Sequence, residues 1–295
     1  MLTVSKMMVK LNRPPAHLRI SFININGVAT KVDDIIQHMI TNKIDVMICV
    51  ETWLRNQDRF SVKNCIIDIR QEQQQHQLVT RGQGGLLMLG KPEIVNKVKV
   101  VEVDKDKRWL HFQVYDVNVV AAYMAPSVLD VDFFRFMRRA DEIARLNDNT
   151  IIVGDLNARL GEMTQDTGVV AGRGRRLVAF LRDHDLKIRA PNEGRWTSYN
   201  PQGRGITDLV LERRGVTSVV NNLVVKENDS VGGSDHRPLI IEVNVNSNNN
   251  SNGEGDGEVK PKQWQLKKLE KEEHLQLFRR YLEDSSQPVF EQIQL

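Results

Sequence analysis

The feature that most limits what this 295-residue chain can fold into is a strand-loop-helix-strand unit near its start. Leu18 to Ile25 alternates and is rich in Ile and Phe, as a strand would be, and Asn24 to Thr30 supplies turn-forming residues before a helical pattern begins. Val32, Ile35, Ile36, Met39 and Ile40 share one face of that helix, with Thr30 and Asp33 spaced as a capping box. Ile44 to Val50 closes the unit as a second strand. Gly85 to Gly90, Ile94 to Val103, Arg108 to Tyr115 and Val117 to Tyr123 read as consecutive strands of a meander or hairpins. A helix over Asp132 to Leu146, a strand Thr150 to Val153, a helix over Arg175 to His184 and strands Ile206 to Leu211 and Pro238 to Val243 follow. Hairpins mixed with crossover helices imply an α/β layered fold with largely paired, mixed sheets.

With 40% hydrophobic and 27% charged residues, the chain has material for one sizeable core. The expected organisation is an extended or disordered 1–16, a globular domain over 17–245, a flexible Asn/Ser/Gly-rich linker over 246–261 and a short amphipathic helical tail over 262–295. Gln71 to Gln77 reads as a polar loop. No window reaches the length of a membrane span, and Met1 to Pro15 lacks a secretory apolar stretch, so an intracellular, soluble protein without a membrane partner is expected. The two cysteines, Cys49 and Cys65, form no paired metal-ligand pattern and fit a reducing compartment. Net charge is only +3, yet Arg173 to Arg214 carries ten Lys/Arg against five acids. That stretch is either a solvated face or a surface for a polyanion.

Polar residues sit where the apolar runs end, the usual place for sites on α/β scaffolds. Asn24 and Asn26 follow the first strand, Glu51 the second and Tyr123 a later one; Asp155 and Asn157 follow Ile151-Ile152-Val153-Gly154, Asp208 lies in a strand, and Asp235-His236 precede the last strand. Glu51 reads as a metal ligand or as a strand-end residue turned to solvent. Gly154 permits a close turn before Asp155, and an Asx turn explains Asp155 and Asn157 equally well. Asp235-His236, in a loop of small residues, brings a carboxylate and an imidazole together, with capping or plain exposure as the other reading. A separate acid such as Asp208 is suited to holding the imidazole in one tautomer. Trp196-Thr197-Ser198 offers hydroxyls for phosphate oxygens or a polar strand edge.

In order and spacing these blocks resemble the endonuclease/exonuclease/phosphatase superfamily, and most of all the endonuclease domains of non-LTR (LINE-type) retrotransposons. The blocks are Asn24-Ile25-Asn26-Gly27, Val50-Glu51-Thr52, Tyr123-Met124-Ala125-Pro126, Gly154-Asp155-Leu156-Asn157, Ile206-Thr207-Asp208-Leu209 and Ser234-Asp235-His236, spread over Leu18 to Val243. Trp196-Thr197-Ser198-Tyr199 points to the retrotransposon branch. Two departures stand out: Val50 occupies the place of the family's usual Gln, and Asn26 stands where repair endonucleases carry Asp.

The resemblance implies a four-layer α/β sandwich of two mixed sheets flanked by helices, deoxyribonuclease I-like, and a Mg2+-dependent nick in DNA that leaves 3′-hydroxyl and 5′-phosphate ends, with Mn2+ as a substitute ion. Glu51, with Asn24 and Asp235, would hold the metal; Asp155, Asn157, Tyr123, His236 and Asp208 would do the chemistry; Thr197, Ser234 and Asn26 would meet the phosphate. DNA is the implied partner, the nucleus the expected location, and a reverse transcriptase the domain that accompanies such endonucleases. Competing expectations are an abasic-site repair endonuclease, a phosphoinositide phosphatase, lipase or deadenylase of the same fold, and an inactive nucleic-acid-binding retroelement fragment.

Overall fold

Period-two alternation along the strands decides the architecture. In the first strand Leu18, Ile20 and Phe22 face one core while Ile23 faces another, and in the second Val46, Ile48 and Val50 oppose Met47 and Cys49 in the same way. A strand apolar on both faces must be covered on both, which requires two sheets with helices outside them.

The computed structural model describes residues 17–71, 82–166, 172–201 and 203–245. The expectations for 1–16, for the linker and tail beyond 245, and for most of the Gln71 to Gln77 loop lie outside these residues. In chain order the elements are β1 (His17–Asn24), α1 (Val32–Thr41), β2 (Val46–Val50), β3 (Cys65–Ile69), β4 (Leu86–Gly90), α2 (Pro92–Val95), β5 (Val98–Val103), β6 (Trp109–Val114), β7 (Val117–Tyr123), α3 (Asp130–Leu146) and β8 (Thr150–Asp155). Then come α4 (Gly172–Asp183), β9 (Leu186–Ile188), β10 (Ser198–Asn200), β11 (Gly203–Gly205), β12 (Asp208–Arg213), β13 (Val220–Val225) and β14 (Leu239–Asn244).

One six-stranded sheet runs β13-β14-β1-β2-β4-β3 and the other β5-β6-β7-β8-β12-β9, with β10-β11 as a separate ribbon. Both are mixed: β1 pairs parallel with β2 and β7 with β8, and the remaining pairs are antiparallel. The largest core lies between the sheets, where Phe22 and Ile48 share a cluster with Phe112, Val119 and Val153. Each such fully buried side chain contributes about 1.5–3 kcal/mol. Phe133, Phe136 and Met137 of α3 and Leu177 and Leu181 of α4 cover the second sheet; Ile35 of α1 covers the first. These are the four expected layers. Among the described residues no helix is long and apolar enough to cross a membrane.

Several local expectations are corrected. The cap of α1 is Lys31, with no side-chain cap bond, so Thr30 falls one residue too early for a capping box. The buried face of α1 is Ile35 and His38, while Ile36 and Ile40 are exposed. His38 is accommodated because Nε2 meets Ser21 Oγ at 3.1 Å and Nδ1 meets Asp229 Oδ2 at 2.8 Å. The expected strand Ile94 to Val103 begins at Val98, because Pro92 starts the short helix α2. Strands β3, β9, β11 and β13 are not among the expected elements, and β10 begins at the end of the polar strand edge expected at Trp196-Thr197-Ser198.

Candidate active site

Four apolar rows that face the inter-sheet core end in polar residues at one edge. Leu18, Ile20 and Phe22 lead to Asn24; Val117, Val119 and Ala121 to Tyr123; Ile151 and Val153 to Asp155; and in antiparallel β12 Val210 leads back to Asp208. Strand register then sets them side by side, with Asp155 opposite both Tyr123 and Asp208. The core's parity therefore aims these side chains, and the exit from each strand decides the depth. Asp155 is 1% exposed and Asp208 4%.

The loops leaving these strands complete the site. Asn26, Glu51 and Asn157 all adopt left-handed backbone, at φ 53°, 55° and 47°. For residues other than glycine this is sparsely populated and concentrates at functional positions. The first two loops are zipped together: Ile25, Gly27 and Val28 amides donate to the carbonyls of Val50, Glu51 and Thr52. Gly27 is required there, since a Cβ would lie 2.7 Å from the Trp53 ring. Gly154 is not the turn residue expected of it. It lies inside β8, where a Cβ would come within 2.6 Å of the Ala122 carbonyl oxygen.

His236 Nδ1 lies 2.8 Å from Asp208 Oδ2, and Nε2 lies 3.9 Å from Asp155 Oδ2. Asn24 Nδ2 donates to Asp155 Oδ2 at 3.0 Å, and the Asn157 amide donates to Asp155 Oδ1 at 3.1 Å. The Tyr123 hydroxyl donates to Glu51 Oε1. Asn26 Nδ2 donates to Asp235 Oδ1 at 3.0 Å. Ser234 and Thr197 are buried: Ser234 Oγ donates to the Asn24 carbonyl and accepts from the His236 amide, and Thr197 Oγ1 accepts from the Thr207 and Asp208 amides. Both hydroxyls thus brace the backbone beside the acids.

Burial, with Asp208 next to it, pushes the Asp155 carboxyl up to about 7. Burial pulls the His236 imidazolium down, but Asp208 first and then Asp155 outweigh it and lift the group to about 10. At neutral pH the site therefore holds an imidazolium between two carboxyl groups. Ligand atoms of Asp155, Asp208 and His236 lie within 4.8 Å of one another, a grouping that Glu51 and Asp235 do not join. Asp208 Oδ1 is buried without a hydrogen-bond partner.

The basic stretch turns out to be partly internal. Arg173 is nearly buried, Lys187 pairs with Glu212, Arg213 pairs with Asp148, and Arg214 donates to the Leu181 and Leu186 carbonyls. Outside, Arg195 and Arg204 lie over the Trp196 ring and Arg237 over Tyr199. Beside Glu51 and Tyr123 lies a cleft that includes Gln83, Arg108 and Ser127, and no pattern along the chain marks it.

Two mixed sheets closed by outer helices, with an acid, amide and imidazole rim at one edge, make an α/β sandwich that the solved structures below share. Residues 117–240 match the family described as endonuclease-reverse transcriptase. Among solved structures, the endonuclease domain of TRAS1, a telomere-specific non-LTR retrotransposon, is similar with a TM-score of 0.59 at 14% identity, covering 78% of this chain and 99% of that one. A 3′-5′ exonuclease (NExo) from Neisseria meningitidis gives 0.59 at 14% identity, over 77% of this chain and 100% of that chain. The AP endonuclease LMAP from Leishmania major gives 0.57 at 15%, over 78% and 88%. No curated protein sequence matches the chain.

Proposed function

We propose that this domain is a divalent-metal-dependent endonuclease that nicks DNA by hydrolysing a phosphodiester to 3′-hydroxyl and 5′-phosphate ends. The observation that carries it is the convergence of Asp155 and the His236-Asp208 pair at a single rim. The retrotransposon endonuclease and the AP endonuclease among the similar folds support DNA as the substrate; a nuclear place of work is part of the same proposal.

Asp155, with its carboxyl near neutrality, is suited to orient and deprotonate the attacking water. Asn24 and the Asn157 amide hold one oxygen each of that carboxylate. His236, kept as imidazolium by Asp208, donates toward the charge that builds on the phosphoryl oxygens. Tyr123 fixes the Glu51 carboxylate. Thr197 and Ser234 act by holding Asp208 and His236 in place, and Asn26 steadies Asp235. The carboxylate and amide oxygens of Glu51, Asn24 and Asp235 suit a hard cation such as Mg2+ or Mn2+ and would hold it, while Asp208 is engaged with His236. When bound, it would neutralise charge on the phosphate and the leaving oxygen.

The test is nicking of supercoiled plasmid by purified protein with and without EDTA, with ends read by ligation and polymerase extension. Asp155→Ala and His236→Ala should abolish turnover with the fold intact by circular dichroism. Activity close to wild type in either variant removes the assignment.

A further inference from the structure

We infer that Arg173 is a positioning residue that locks the two loops carrying the site's polar groups into one register, a role that rests on the nuclease reading above. Arg173 opens α4, and its guanidinium reaches five backbone carbonyl oxygens. Nη1 donates to Met124 at 3.1 Å, to Ala125 at 3.1 Å and to Leu156 at 3.4 Å; Nη2 donates to Pro126 at 3.3 Å and to Val128 at 2.6 Å. Four of these carbonyls belong to the loop that follows Tyr123. The fifth lies between Asp155 and Asn157. The two loops also meet directly, through the Met124 amide and the Asp155 carbonyl at 2.9 Å. The guanidinium therefore spans the exits of β7 and β8, the strands that set Tyr123 and Asp155 side by side.

Its surroundings leave it little freedom. The Arg173 side chain is 10% exposed and lies over the Phe133 ring, 5.1 Å from its centre, while its acidic neighbour Asp130 stands 3.9 Å away. Backbone carbonyls, not a carboxylate, are thus its main partners. A planar fork with donors on several edges serves this arrangement; an ammonium has three donors at one point and cannot span both loops. A guanidinium so placed fixes where Tyr123 and Asn157 stand relative to Asp155 without touching substrate. A misplacement of about 1 Å in such groups can cost about 10²-fold in rate.

The experiment compares wild type, Arg173→Lys and Arg173→Ala by steady-state nicking, amide hydrogen exchange over 124–128 and 156–157, and thermal melting. Arg173→Lys should lower kcat by about 10²-fold with KM within threefold, and should speed exchange in both loops while leaving β1 and β2 protected. Millimolar guanidinium chloride should restore part of the lost kcat to Arg173→Ala, whereas ethylammonium chloride should not. A kcat within threefold of wild type in Arg173→Lys, or a loss confined to KM, overturns the proposal, and so does unchanged exchange in both loops. Should Arg173→Ala fail to fold, the lysine variant decides alone. If wild type itself does not nick DNA, the function is wrong, and the exchange data still report whether Arg173 holds the loops.

Discussion

Replacing Asp208 by Asn keeps the shape of the side chain and removes its charge from His236. The rise of His236 from 6.5 to about 10 corresponds to about 5 kcal/mol, at about 1.36 kcal/mol for each tenfold change in acidity. Asp208 contributes most of it, at 2.8 Å from Nδ1, and Asp155 less, at 3.9 Å from Nε2. Without the Asp208 charge, burial is opposed only by Asp155 and Asp235, and the imidazole drops well below about 10. A smaller share of His236 then remains protonated at pH 7.5. Loss of tautomer and ring orientation adds to this, and nicking at pH 7.5 should fall by about 10²- to 10⁴-fold. Stability should move far less, because the lost ion pair is offset by relief of the repulsion between Asp208 and Asp155. The assay is single-turnover nicking of supercoiled plasmid beside an NMR titration of the His236 ring. A rate within fivefold of wild type, or an imidazole that still titrates near 10, refutes the reasoning.

Four further outcomes follow from the same geometry. Nicking needs Asp155 ionised and His236 protonated, so its rate should climb as pH passes about 7 and fall as it passes about 10. Both groups sit above their unfolded values of 3.8 and 6.5, so their contributions are complete at low pH and lost as pH rises through about 7 and about 10; melting temperature should drop across that window, and a flat profile contradicts this. Glu51→Gln should raise the Mg2+ concentration for half-maximal nicking at least about tenfold, read by metal titration, because an amide oxygen is a weaker ligand than a carboxylate. Gly154→Ala should destabilise by about 1–3 kcal/mol in urea denaturation, since its Cβ would press on the Ala122 carbonyl.

Much of this could be read along the chain because the alternation that builds the core also aims the site. Asn24, Tyr123 and Asp155 each extend a period-two apolar row by one step, so strand ends and site residues were found together. The elements that escaped notice are those whose period is broken. Strand β3 shifts register between Cys65 and Ile67, and β13 shifts between Val220 and Asn222, so neither shows clean alternation. Strands β9, β10 and β11 have three residues each, too few to display a period. His38 stands outside the apolar row of its helix, and Ser21 and Asp229, distant in sequence, make its burial tolerable. Arg173 was hidden for the opposite reason, since a basic run reads as a charged surface and nothing local announces five waiting carbonyls. The link between Asp208 and His236 was legible because both stand in short, characteristic blocks of sequence.

The left-handed turns at Asn26, Glu51 and Asn157 set folding and turnover against each other. A residue other than glycine held at such angles costs about 1–3 kcal/mol, somewhat less for Asn. Glycine at any of the three would ease that strain, and at Asn26 and Glu51 it would delete a side chain that the site uses. Selection for heat resistance alone should therefore drift toward Gly at these positions, and, on the proposed nuclease reading, a lineage of this domain that has lost its activity should record that fact there first, while its core strands still look intact.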